Sequence, residues 1–496
     1  MTDRKFKPLI FIVSLILIIS ASIFFVFGCH FESYEIVLAS IIAGDYTFPL
    51  NDFNIDMHVG LFPLYSYLNS IFPKVYIYGY VLIIYNLISI ILLYKSIIYY
   101  LDSKKIHIKF WIIISILAIF LIENLVHLST VRASIIACVS ILSYAYIRET
   151  NNIKPTFKYY LFISISLIFI AMVRTDALSL FGLIFLTIAA LNKKITKPVL
   201  LVGLIVFSTF FINKMIMNTG SEAKKVFYYK ENQLLDRAQI NVNHLSKIDS
   251  INILGFSKYI IFDKEMFTLK YTNTLTQDTG ENLNGYFTNI NMDSFLITIT
   301  ETFKNVQSIL YIIIIALFFL ILVLINDKKA SIKYKIILLY LYSIPIFLNF
   351  FIYTHIRLLS PYYLLLTVFL LIKLLEYKKD LAKISLIIIL TFIVYNNNIY
   401  SKQMSIKNMR YEANINKIAA FNKTYNETII IDNFDDVFFP INTFTKVKNV
   451  DAMFLNFFFF SSYSSYIDKW NHACDCNALA LDEKMNYISN NKLKII

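Results

Sequence analysis

Charge is scarce in this chain: Asp, Glu, Lys and Arg make up 16% of its 496 residues, against about a quarter in an ordinary soluble domain. Glycine (10), proline (9) and tryptophan (2) are scarcer still, which excludes collagenous, Gly/Ser-linker and Pro-rich architectures. Four cysteines in so long a chain cannot build a disulfide scaffold. Cys29 ends one apolar run, Cys138 lies inside another, and Cys474 and Cys476 form a C-x-C without the second pair a zinc framework needs. No metal site is assigned from them. What is abundant is apolar: 57% hydrophobic residues, 44 Phe, 35 Tyr and a mean hydropathy of +0.61. That composition excludes intrinsic disorder and a string of soluble domains, and predicts a polytopic membrane protein.

The net charge of +13 would suggest a nucleic-acid partner in a soluble protein, but here Lys and Arg gather in short segments between apolar runs. No nucleic acid is expected. Runs long enough for a bilayer core occur near 8–28, 76–100, 110–127, 131–147, 158–174, 176–192, 197–213, 306–325, 335–353, 357–375 and 382–398. "VFGC" at 26–29 places bulky Phe27 where a cleaved leader carries a small residue, so the first run reads as a retained helix. The basic clusters fall in alternate connections, around Arg4 and Lys7, Lys104 and Lys109, Arg148 and Lys158, Lys193 and Lys197, Lys328 and Lys335, and Lys378 and Lys383. By the positive-inside rule they lie in the cytoplasm, with the N-terminus, while the C-terminus lies outside.

The fold class expected is therefore membrane all-α, a polytopic bundle of about 11 transmembrane helices with a long first outer loop and a small C-terminal extracytoplasmic α/β domain. Residues 1–400 form the transmembrane domain, with an outer loop at 29–75 and an outer insertion at 214–305. Residues 401–496 form the terminal domain, with a helix near 401–421 and then β-rich runs in "ETIIIDNFDDVFFP" and "TKVKNVDAMFLNFFFF". The acidic "DNFDD" at 432–436 reads as solvated turn residues before a cation site. Six of the seven histidines (His30, His58, His127, His244, His355 and His472) fall on or near the outer face, where a polar site and ordinary interfacial amphipathic residues are both accounted for.

The first outer loop carries the most information. "FESYEIVLASIIAGDYTFPLNDFNIDMHVGLFPLYSYLNSIFP" places Glu32, Glu35, Asp45, Asp52 and Asp56 beside the bilayer. Its apolar segment at 59–73 is too short and proline-bounded to span, and is expected to lie along the interface or to re-enter. Carboxylates in such a place are either solvated loop residues or a functional cluster.

The order of residues resembles the first loop of the GT-C superfamily of membrane glycosyltransferases, which includes lipid A aminoarabinose transferases and protein O-mannosyltransferases. Glu32 stands at the acidic opening, Gly44-Asp45-Tyr46 in the middle, and His58 with Pro63-Leu64-Tyr65 at the close. The opening is a single Glu followed by Ser33, so either Glu32 or Glu35 matches the catalytic carboxylate. "AMVRTDALSLFGLIFLTIAAL" at 171–191 and "HIRLLSPYYLLLTVFLL" at 355–371 are similar to later helices of the superfamily, with Leu358 where a Tyr is usual.

The resemblance implies transfer of a sugar from a polyprenyl-phosphate donor to a lipid or glycan acceptor on the outer face, usually with inversion. A bacterial inner-membrane enzyme of cell-envelope polysaccharide biosynthesis would do this among membrane lipids. A loop carboxylate must take the acceptor's proton: Glu32 first, then Glu35, Asp45 and Asp52. Negative charge grows on the departing phosphate, so fixed cations at the interface lower the barrier. Arg132, Arg174 and Arg357 stand at predicted outer helix ends, with His355 beside the last, and His58 lies in the first outer loop; these five are the residues assigned to the donor's phosphate. Each arginine alternatively snorkels or pairs with a carboxylate, as Arg174 could with Asp176 or Glu123. No cofactor is expected; whether a divalent metal takes part is open. Two other readings compete. An O-antigen or exopolysaccharide polymerase would also have many helices and outward arginines, and "LSTVRASIIACVSILSYAYIRE" at 128–149 is similar to one of its helices. A transporter or lipid flippase would carry interrupted spans and mid-membrane ionisable groups.

Overall fold

The computed structural model describes residues 3–31, 62–72, 75, 77–103, 110–150, 156–174, 177–178, 181–182, 185–186, 197–219, 310–327, 332–351, 356–377, 379–425, 429–431 and 452–454. Nearly all of them are helical. In chain order the elements are α1 (Asp3–Phe27), β1 (His30–Phe31), α2 (Phe62–Ile71), α3 (Ile77–Ser103), α4 (Phe110–Val126), β2 (His127–Leu128), α5 (Thr130–Thr150), α6 (Phe157–Val173), α7 (Lys197–Thr219), α8 (Leu310–Asn326), α9 (Ile332–Phe351), α10 (Ile356–Tyr377), α11 (Lys379–Tyr425), β3 (Ile429–Ile431) and β4 (Ala452–Phe454). Three of the helices are long and apolar enough to cross a membrane, over Ile77–Ser103, Thr130–Arg148 and Asp380–Arg410. Shorter apolar helices, Phe110–Val126 and Phe157–Val173 among them, accompany these. A 17-residue helix such as α4 is roughly 25 Å long, close to the thickness of a hydrocarbon core. The architecture is that of a largely α-helical protein compatible with a membrane.

The chain divides into two compact units. The first comprises 1–35, 78–210 and 293–405; the second comprises 36–77, 211–292 and 406–496. Within the first, α1 packs on α4, α5 on α6 and α10, and α8 on both α9 and α10. Apolar side chains occur on every face of these helices, so polarity cannot choose which face turns inward; small and hydroxyl side chains do so. Tyr85 donates to Ser134 Oγ at 3.1 Å and Ser96 to the Ser140 carbonyl at 2.6 Å, fastening α3 to α5. A Cβ on Gly182 would stand 2.4 Å from Val206, so that glycine admits the close approach of residues 181–182 to α7.

A proline in α9 explains the tyrosine contact between α9 and α10. Pro345 has no N–H, so it leaves the carbonyl four residues back, that of Leu341, without its helical donor. Tyr362 supplies one, its hydroxyl 2.5 Å from the Leu341 oxygen, and Tyr363 donates to the next carbonyl, Tyr342, at 2.9 Å. Pro361 precedes both tyrosines inside α10.

The second unit contributes α2 and the short parallel pair β3–β4, in which Ile429, Ile430 and Ile431 face Ala452, Met453 and Phe454. At ten residues, α2 is too short to span a bilayer, as its sequence predicts. One expectation is corrected. The apolar run at 382–398 and the helix near 401–421 are one continuous 47-residue helix, α11. The polar stretch "NNNIYSKQM" between them looked like a boundary, but it holds neither proline nor glycine, so nothing in it breaks the backbone ladder.

Candidate functional site

Four segments of the first unit meet at one end of the bundle: the exit of α1, the turn between α4 and α5, and the facing parts of α10 and α11. Gly28 ends α1 in the left-handed region (φ +74), its N–H bonded to the Phe24 carbonyl at 3.0 Å. Glycine takes that conformation without strain, and a Cβ there would press on the His30 ring at 3.1 Å. The chain then pairs in parallel with the α4–α5 turn, His30 opposite His127 and Phe31 opposite Leu128. Phe31 and Leu128 are wholly buried.

The histidines are fixed by what surrounds them. His30 Nε2 donates to the Phe27 carbonyl at 3.2 Å, and the same oxygen accepts a short hydrogen bond from Ser401 of α11. Tyr400 lies 4.0 Å from the His127 ring, tilted by 37°, and edge-on to His30 at 6.0 Å. Burial lowers the pKa of His30 below its ordinary value, with the hydrogen bond to Phe27 opposing.

One helical turn deeper lies a buried ion pair. Arg132 Nη1 donates to Glu123 Oε1 at 3.1 Å and to Ser360 Oγ at 3.0 Å, while Asn397 Nδ2 donates to Glu123 Oε2 at 3.0 Å. All four residues are at most 3% exposed. The tight turn at 127–129 places Glu123 near the end of α4 against Arg132 near the start of α5. Ser360 comes from the first turns of α10, so the carboxylate also stands near two positive helix ends, which favour its charge. Asn397, Tyr400 and Ser401 occupy one face of α11 at helical spacing, so that a single stripe reaches Glu123, the histidines and the end of α1. The Oδ1 atoms of Asn124 and Asn397 are buried here with no hydrogen-bond partner among the described residues.

Of the site residues expected from sequence, Arg132 is central to this cluster. Arg174 closes α6, its N–H bonded to Ile170 at 2.7 Å and its side chain 8% exposed. Arg357 belongs to the first turn of α10; its side chain lies outside the described residues. Glu32, Glu35, Asp45, Asp52, His58 and His355 also lie outside the described residues. Among those described, no three His, Cys, Asp or Glu side chains group to hold a metal ion.

The chain matches no known family, no curated protein and no solved structure. What the arrangement can do chemically therefore rests on its own residues. It offers a buried guanidinium held in one orientation by a carboxylate and a hydroxyl, two imidazoles locked against a tyrosine, and a first loop whose entry is stapled beside them. Ser360, Asn397 and Tyr400 were missed in the sequence, and Glu123 was weighed only as a partner of Arg174. A lone carboxylate within an apolar run was the available signal.

Proposed function

We propose that the protein is an integral membrane glycosyltransferase of GT-C type. It transfers a sugar from a polyprenyl-phosphate donor to a lipid or glycan acceptor on the outer face of a bacterial inner membrane. In this reading the chain crosses the bilayer eleven times, the end of the bundle with the basic connections faces the cytoplasm, and residues 401–496 include a small outer α/β domain around the β3–β4 pair. The supporting observation is the β1–β2 staple. It makes the chain leave α1 and enter its acidic loop beside Leu128, four positions before Arg132. A loop that supplies the base and a helix start that supplies a cation are thereby served by the same end of the bundle.

On this reading the transfer is a single displacement. An acceptor hydroxyl attacks the anomeric carbon, forming the new C–O bond as the bond to the donor phosphate breaks. The acceptor's proton passes to a loop carboxylate, Glu32, Glu35 or Asp45, and the carrier departs as its phosphate anion. Attack opposite the leaving group inverts the anomeric centre. Arg174, Arg357, His58 and His355 are the groups assigned to the phosphate, because a guanidinium stays charged where water is scarce and can hold two phosphate oxygens. Arg132, its charge already met by Glu123, serves the site by tying the starts of α5 and α10 together through Ser360.

The test is sugar release from radiolabelled polyprenyl-phosphate sugars by membranes containing the wild-type chain, Glu32→Gln or Arg357→Ala at matched levels. Turnover by the wild type that both substitutions abolish is the expected result. Wild-type turnover unaffected by either substitution would overturn the site. No turnover with any donor, together with accumulation of unpolymerised lipid-linked repeat units in a deletion strain, would replace the reading with a polysaccharide polymerase.

A further inference from the structure

At the opposite end of the first unit, three neighbouring helices each contribute a pair of residues one turn apart: Lys95 and Tyr99 from α3, Tyr144 and Arg148 from α5, Tyr159 and Phe162 from α6. The Lys95 ammonium lies 5.0 Å from the centroid of Phe162 and 5.7 Å from that of Tyr144. The Arg148 guanidinium stacks on Tyr159 at 4.4 Å, and its Nη1 donates to Tyr144 Oη at 3.4 Å. Tyr99 meets Tyr144 edge-on at 5.3 Å. Two cations thus converge on one tyrosine.

Neither cation has a carboxylate within salt-bridge distance among the described residues. Arg148 Nε is buried without a hydrogen-bond partner among them. Two neighbouring positive charges repel, and aromatic faces offset that only in part. Their approach is stabilised when an anion with several acceptor oxygens completes the set, and a stacked guanidinium presents its remaining N–H groups at its edge for such a partner. The cluster stands near the ends of α3 and α5 and the start of α6, at the level where headgroups meet helices if these cross a bilayer.

We infer that Lys95 and Arg148, framed by Tyr144 and Tyr159, form a binding site for the phosphate headgroup of one anionic glycerophospholipid, bound in the groove between α3, α5 and α6. The groove would seat the acyl chains against the apolar side chains of α3 and α6, of which Ile84, Ile88, Leu161 and Ile165 are exposed. The site is separate from the proposed transfer chemistry and stands whether or not that reading does.

The test uses the full-length protein in nanodiscs of phosphatidylcholine with increasing phosphatidylglycerol. Retained lipid is counted by native mass spectrometry after gentle release. The wild type should retain one phosphatidylglycerol. Lys95→Gln or Arg148→Gln should each weaken its binding about fivefold, and the double substitution about thirtyfold. Lys158→Gln, at an exposed position on α6, should leave binding unchanged and reports general surface charge. Equal retention by wild type and double variant, with both monodisperse, would overturn the site, as would an equal loss in Lys158→Gln. Displacement of the phospholipid by inorganic phosphate or by polyprenyl phosphate at comparable concentration would overturn its assignment to a bilayer lipid.

Discussion

Glu123→Gln is nearly isosteric, yet it should be among the most damaging single changes in the helical unit. Each carboxylate oxygen of Glu123 accepts from a different donor, Arg132 and Ser360 on one side and Asn397 on the other. A glutamine can accept on one side only, and it turns its NH2 toward either Arg132 or Asn397. The Arg132 charge, 3% exposed, then loses its counter-ion. Removing one partner of such a buried pair costs about 3–5 kcal/mol, which in a unit of this size lowers the melting temperature by roughly 5–10 °C. Cys29 and Cys138 are both buried, so a thiol-reactive fluorophore reports unfolding directly once Cys474 and Cys476 are replaced by serine. The reasoning makes a second demand. Glu123→Leu combined with Arg132→Met removes both charges together and should melt closer to wild type than Glu123→Gln does. A Glu123→Gln protein that melts with the wild type, or a double variant less stable than the single one, would refute it.

Two further outcomes follow from the same geometry. Because His30 holds its proton less tightly when folded than its ordinary value of 6.5, the unfolded chain binds more protons as the pH falls below that value. Its contribution to stability is therefore whole above about pH 6.5 and is lost as pH falls through the lowered folded value; the acid limb of a melting-temperature profile should flatten in His30→Gln. Tyr362→Phe deprives the Leu341 carbonyl of the donor that stands in for the missing Pro345 N–H. It should cost about 1–3 kcal/mol, read as a lower melting temperature, and Tyr362→Phe combined with Pro345→Ala should recover most of it.

The helices were legible because a long apolar run has few alternatives: α3, α5, α8 and α10 lie where hydropathy places them. That α11 runs unbroken through the polar stretch at 396–404 was not legible, because polarity signals exposure and only backbone chemistry signals termination. The Glu123 cluster was hidden for a different reason. Ser360 and Asn397 lie 237 and 274 positions from Glu123, and a serine or asparagine in an apolar helix is commonplace until its partner is known. The β1–β2 staple was equally silent: two residues on each side are too few for any alternation of polar and apolar residues to show. The loop carboxylates were the reverse case, plain in sequence by their clustering and order, while their geometry lies outside the described residues.

The hydrogen bond from Ser401 to the Phe27 carbonyl spans 374 positions, and it has a consequence for how the protein is made. A helix synthesised early is capped by one synthesised late, after the described helices between them have been made. Until then the end of α1 lacks Ser401, the histidines lack Tyr400, and Glu123 lacks Asn397. Three contacts from one face of one helix arrive together, so a chain cut short before Asn397 carries an unfinished carboxylate and an open seam. The seam closes only once the chain has been made past Ser401, so α1 and α11 are joined late in synthesis.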